Sequence, residues 1–221
     1  MENFTDRLYA AARPIWQESH HHAFLYELRE GTLAPDRFAF YLCQDYVYLL
    51  DYAKLFALGI VKAEEEADMA WFAELVHSTL HGEMDAHRRL ASSFGITRAK
   101  LENTKPSAVT LGYTGYMLGV AEKGSLADLV AVLLPCMWSY REVGVLFKDY
   151  PGALDHPLYG EWILTYASEE FGKITDWLID RMNRLAQGLP EPALRRLEEL
   201  FVTASRYEYR FWDMAYKKEM W

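Results

Sequence analysis

The sequence predicts an all-α protein, a single helical bundle spanning residues 1–221. Three observations carry that expectation. Apolar residues recur at helical spacing along nearly the whole chain, and no segment alternates as a strand does. The breaks are short and sharply marked, at Gly31-Thr32, Phe94-Gly95-Ile96-Thr97, Lys123-Gly124-Ser125, Tyr150-Pro151-Gly152 and Gly188-Leu189-Pro190. Short connections between long helices favour antiparallel neighbours. No repeat, low-complexity tract or linker divides the 221 residues, which are 51% hydrophobic and 25% charged, as a chain with a sizeable core should be.

In chain order, helices are expected at 3–18, 22–30, 35–63, 66–94, 106–122, 125–149, 157–187 and 191–219. The run 20-HHH-22 reads as a solvated helix start. Pro35, Pro106 and Pro157 sit in first turns, where the missing N–H is not needed. In 35–63, a wheel at 100° per residue gathers Phe38, Tyr41, Asp45, Tyr48, Leu49, Tyr52 and Phe56 within about 80°. Asp45 thus lies inside an aromatic stripe, while Cys43 points nearly the opposite way. A buried carboxylate there is either satisfied by a hydroxyl or backbone group, or lines a pocket.

Helix 66–94 carries four residues that invite a metal site. The wheel places Glu83 and His87 on the apolar stripe with Phe72, Val76, Leu80, Leu90 and Phe94. His77, His81 and Asp85 fall on the solvated side. No HExxH pattern completes a zinc site, so no metal is expected. Glu83 and His87 read as a carboxylate–imidazole pair of the core. Helix 106–122 brings Tyr113 and Tyr116 at i,i+3.

Helix 125–149 opens on Ser125 with Asp128 three residues on, a capping box. Its interior holds 133-LLPCMWSY-140. Pro135 removes a backbone bond and should kink the helix, at about 3 kcal/mol. Cys136 and Tyr140 share a face at i,i+4. A lone cysteine in an apolar helix is usually inert filler, so the residues alone leave core and nucleophile both open. Helix 157–187 offers Trp162 and Tyr166 at i,i+4. In 191–219, Glu208 falls among Leu194, Leu197, Phe201, Ala204, Phe211, Trp212 and Ala215, with Arg206 and Arg210 off that stripe.

Bulk properties exclude several classes. Net charge is −9, which opposes nucleic-acid or anionic-membrane partners, since these need clustered cations. The two cysteines point to a reducing compartment rather than a disulfide framework. The start lacks a signal-peptide pattern, and the longest uncharged apolar run, Leu129 to Tyr140, is short for a membrane span. A cytoplasmic protein is expected. Buried tyrosine hydroxyls need partners, so an interior of Tyr, Asp, Glu and Cys suits a flat polar ring.

The segments 45-DYVYLLDY-52, 111-LGYTGYM-117, 134-LPCMWSY-140, 162-WILTY-166 and 207-YEYRFWDM-214 resemble the TenA, or thiaminase II, family, in its cysteine-containing branch. The resemblance spans nearly the whole chain. It implies a haem-oxygenase-like fold without haem, no cofactor, commonly a homotetramer, and an aminopyrimidine aminohydrolase of thiamine salvage that also hydrolyses thiamine. Residue by residue it implies Cys136 as nucleophile, Glu208 as proton donor and Tyr48 as the group that helps activate the thiol. It implies substrate contacts from Asp45, Tyr113, Tyr140, Tyr166 and Phe211. The one departure noticed is Gly112, where a residue such as alanine is usual. Two other classes stand beside this one: a helical-bundle metal-dependent oxygenase built on Glu83 and His87, and a non-catalytic pyrimidine carrier or regulator.

Overall fold

The computed structural model describes residues 3–221. Eleven α-helices and one π-helical turn make up its regular structure, with no strand among the described residues. They are α1 (Phe4–His20), α2 (Ala23–Arg29), α3 (Pro35–Lys62), α4 (Glu66–His77), the π turn (Ser78–Glu83), α5 (Met84–Ser93), α6 (Arg98–Glu102), α7 (Ala108–Lys123), α8 (Leu126–Lys148), α9 (Pro157–Tyr166), α10 (Glu169–Ala186) and α11 (Glu191–Lys217). The chain forms two compact units. One comprises the segment up to Leu33 with Val130–Asp213, the other Ala34–Leu129 with Met214–Trp221.

In the second unit α3 is the central helix, packed by α4, α5, α6 and α7. Its near-uniform apolarity explains why: Phe38, Tyr41, Leu42, Leu49, Leu55 and Phe56 are all buried, so more than one face needs cover. Gln44 is buried too and ties α3 to the start of α7. Its Oε1 accepts from Ser107 N and Thr110 Oγ1, both at 2.8 Å, and its Nε2 donates to Lys105 O at 3.0 Å. Ser107 is the N-cap of α7, accepting from Thr110 N at 3.1 Å. Pro106 therefore precedes the cap instead of opening the helix.

The first unit is built around aromatic rings. Trp16 meets Trp138 at 5.6 Å and Phe201 at 5.8 Å between centroids, and Phe24 meets Trp212 at 5.5 Å. Tyr159 of α9 donates its hydroxyl to Leu33 O at 2.8 Å, and burial pushes its phenol up to about 12. At the junction ahead of α8, Asp128 accepts from Ser125 N at 2.8 Å while Ser125 Oγ accepts from Asp128 N at 3.3 Å, completing the capping box. By length and composition α8 could cross a membrane; 67% of its most apolar window is buried in protein, as in a core helix.

Several expectations change. The segment expected as one helix over 66–94 carries a π turn at its middle. The buried positions run Phe72, Leu75, Thr79, then Met84, His87 and Ala91. The five-residue step from 79 to 84 is the inserted residue of the π turn. Leu80, placed on the apolar stripe by a uniform wheel, is instead 38% exposed. The segment expected over 157–187 breaks at Ala167, where Ser168 caps α10 by accepting from Phe171 N at 3.2 Å. Of 20-HHH-22, only His21 is exposed. His22 caps α2, accepting from Phe24 N at 3.1 Å, and His20 stands 3.7 Å from Glu142 with its pKa lowered by burial.

Candidate active site

The expected site residues fall in both units. Cys136, Tyr140, Tyr166, Glu208 and Phe211 belong to the first. Asp45, Tyr48 and Tyr113 belong to the second.

In the first unit α8 runs unbroken through Pro135 and presents Cys136, which is half-buried. The other cysteine, Cys43 of the second unit, is buried, and that burial pushes its thiol pKa up. One turn beyond Cys136, Tyr140 is buried in a ring of aromatics. It meets Tyr166 edge-on at 4.8 Å, Trp212 at 5.0 Å and Trp162 at 5.9 Å. Trp162 in turn meets Tyr166 at 4.7 Å. On α11, Glu208 is 3% exposed and Phe211 also lies in the core, while Arg206 and Arg210 face solvent as the wheel required. Trp212, expected on the apolar stripe and within the 207–214 segment, is the wall against which Tyr140 packs.

Tyr166 owes its place to a glycine. A Cβ on Gly144 of α8 would lie 2.5 Å from the carbonyl carbon of Tyr166 and 2.6 Å from Ala167 N. Only glycine lets α8 approach the end of α9 so closely. Gly144→Ala should therefore destabilise by about 1–3 kcal/mol, since backbone cannot yield as a side chain does. Thermal melting checks this.

In the second unit Asp45 is 7% exposed, inside the aromatic stripe of α3. Tyr48 stacks on Tyr52 at 5.3 Å and packs on Tyr113 at 5.3 Å, and its hydroxyl reaches Met117 Sδ at 4.0 Å. The capped start of α7 is what brings Tyr113 to this position. Asp45 also has a neighbour that the wheels did not supply. His87 Nε2 of α5 lies 3.3 Å from Asp45 Oδ2. Glu83, half-buried at the end of the π turn, has its carboxyl pushed up to about 8, by burial first and by the charge of Asp45 second. Neither ring nitrogen of His87 has a hydrogen-bond partner among the described residues, so the carboxylate–imidazole hydrogen bond expected between Glu83 and His87 is not formed.

His77 and His81 are exposed, with ring centroids 4.7 Å apart. Among the described residues no three His, Cys, Asp or Glu side chains stand grouped to hold a metal. An open depression between Arg29–Gly31 and Pro151–His156 contains none of the site residues.

These features define an all-helical protein with carboxylates buried on apolar, aromatic-rich helix faces. Residues 9–218 match the model of the TENA/THI-4/PQQC family. The chain belongs to that family. A protein of Halalkalibacterium halodurans named aminopyrimidine aminohydrolase is 49% identical over 219 residues, covering 99% of this chain and 98% of its own. Proteins of the same name from Helicobacter pylori and Bacillus subtilis are 40% and 36% identical, over 95% and 99% of this chain and 97% and 92% of theirs. Among solved structures, a TenA homologue from P. horikoshii OT3 aligns with a TM-score of 0.90 at 30% identity, covering 98% of this chain and 99% of that one. A haem-oxygenase-like domain from Shewanella denitrificans aligns at 0.79 with 14% identity, over 99% and 93% of the two chains, and shares the fold.

Proposed function

We propose that the protein is an aminopyrimidine aminohydrolase of thiamine salvage. It would convert 4-amino-5-aminomethyl-2-methylpyrimidine and water to the 5-hydroxymethyl pyrimidine and ammonia, with thiamine as a second substrate. The observation that carries this reading is Cys136: a half-buried thiol one turn before a buried tyrosine, in a chain similar over nearly its full length to proteins of that name.

The chemistry explains the residue types. Ammonia leaves poorly from a methylene, so a covalent route divides the step. The Cys136 sulfur forms a bond to ring C6 as Glu208 gives a proton to the adjacent ring nitrogen. The electrons of the dearomatised ring then expel the protonated amine from the methylene as ammonia. Water adds to that carbon and loses a proton, which the released ammonia takes up. The S–C bond breaks, the ring proton returns to Glu208, and the ring regains aromaticity. One water is consumed and one ammonia released. Tyr48 assists the thiol. Asp45 holds the exocyclic amine and ring nitrogen, while Tyr113, Tyr140, Tyr166 and Phe211 fix the ring by packing. The protein acts in the cytoplasm, as a homotetramer, on a small-molecule partner.

Incubation of the protein with the aminomethylpyrimidine, reading ammonia and hydroxymethylpyrimidine, tests this directly. One-to-one appearance of both is expected; binding without ammonia would make the protein a carrier. Asp45→Asn should weaken pyrimidine affinity about tenfold or more, as the loss of a charged hydrogen bond does. Calorimetric titration measures it, and unaltered affinity removes Asp45 from the binding set.

A further inference from the structure

We propose that His87 is a positioning residue for Asp45: its Nε2 holds Asp45 Oδ2, so that Oδ1 is the oxygen presented to the aminopyrimidine. This rests on the reading of Asp45 as the pyrimidine-binding carboxylate.

Three observations carry it. First, the approach is close and dry: Nε2 and Oδ2 stand 3.3 Å apart, with the two side chains 6% and 9% exposed. Second, both ring nitrogens of the imidazole are sealed from solvent and neither has a hydrogen-bond partner among the described residues, so the approach of Nε2 to Asp45 is a close polar contact short of a hydrogen bond. Burying an imidazole this way is unfavourable unless something holds it there. Third, a π turn ends directly before this site. A uniform helix through 66–93 would put Leu80 and Glu83 inward with His87. The π turn at Ser78–Glu83 leaves Leu80 exposed and Glu83 half-buried, and buries Met84 beside His87 and Ala91. Such turns are rare and are often found at functional sites.

Glu83 completes the arrangement. It sits one turn before His87, and with its carboxyl pushed up to about 8 it keeps its proton at neutral pH. Asp45 is then not faced by a second negative charge. The consequence for recognition is specific. A carboxylate oxygen accepts hydrogen bonds. With one oxygen facing His87, the other suits a ligand edge carrying an N–H donor, as the 4-amino group does, and rejects a 4-oxo edge of the same shape.

The test uses the full-length protein and four variants: His87→Leu, His87→Gln, Asp45→Asn and the Asp45→Asn/His87→Leu double. Folding of each is checked by far-UV circular dichroism and melting. His87→Leu should raise KM for the aminomethylpyrimidine about tenfold, as loss of a buried polar contact to a binding carboxylate does, with a much smaller fall in kcat. His87→Gln can offer an amide N–H to the same oxygen and should recover most of that loss, which a merely space-filling role would not predict. The double variant should bind no more weakly than Asp45→Asn alone. If Asp45→Asn weakens binding but His87→Leu does not, the positioning role is overturned while the reading of Asp45 stands. Equal losses in His87→Leu and His87→Gln also overturn it. If Asp45→Asn binds like the parent, the reading of Asp45 fails and this inference falls with it.

Discussion

Cys136→Ala should reduce hydrolysis of the aminomethylpyrimidine by about a thousandfold or more, because removing a covalent nucleophile closes the two-step route. The same variant should still bind the pyrimidine within a fewfold of the parent and melt within a few degrees of it. Cys136 is half-buried, so the methyl of alanine leaves only a small void. The measurement is single-turnover ammonia release alongside equilibrium binding. Turnover like the parent's would remove the thiol from the mechanism, and loss of binding together with turnover would make Cys136 a packing residue. Mass spectrometry of the parent, quenched during turnover, should show the pyrimidine attached to the peptide bearing Cys136 and absent from the variant.

The second large effect is expected at Glu208. It is buried on the apolar stripe of α11, and Gln has nearly its shape but no proton to give. Glu208→Gln should lower kcat by about a hundred- to ten-thousandfold with KM changed only a few times, the range for loss of a general acid. Melting of the variant is measured alongside, so that a loss of stability is not read as a loss of catalysis. A variant that loses affinity and retains kcat would assign Glu208 to binding instead. The split between kcat and KM separates the two roles in one experiment.

Most of the fold was readable because the helices are long and well marked. Pro35 and Pro157 open α3 and α9, the Ser125–Asp128 box opens α8, and stripes of 100° periodicity correctly buried Asp45 and Glu208. What failed was local. A wheel assumes constant phase, and the π turn breaks it, so Leu80 was placed inward when it faces out. The short α6 was missed; Thr97, accepting from Lys100 N at 3.2 Å, was its available signal. The break before α10 was also signalled, by Ser168 followed by two glutamates, a cap with acidic residues in the first turn. The approach of His87 to Asp45 was not legible, since 42 residues separate the two positions and no local rule joins them. Residue chemistry left Cys136 undecided between filler and nucleophile. The family pattern supplied that choice, and the structure adds that its thiol is the less buried of the two.

The π turn has a further consequence for how substitutions in this region will read. Residues before Ser78 and after Glu83 keep separate periodicities, offset by one position. A tolerance profile measured along 66–93 will therefore not fit one sinusoid. It will show two registers meeting at a seam, with Leu75 and Thr79 setting the first and Met84, His87 and Ala91 the second. Removing one residue within the seam would merge them into one regular helix, because the step from Thr79 to Met84 would shrink to the four residues of an α-helical turn. The inward side chains on both sides of the seam would keep their face, and the imidazole with them.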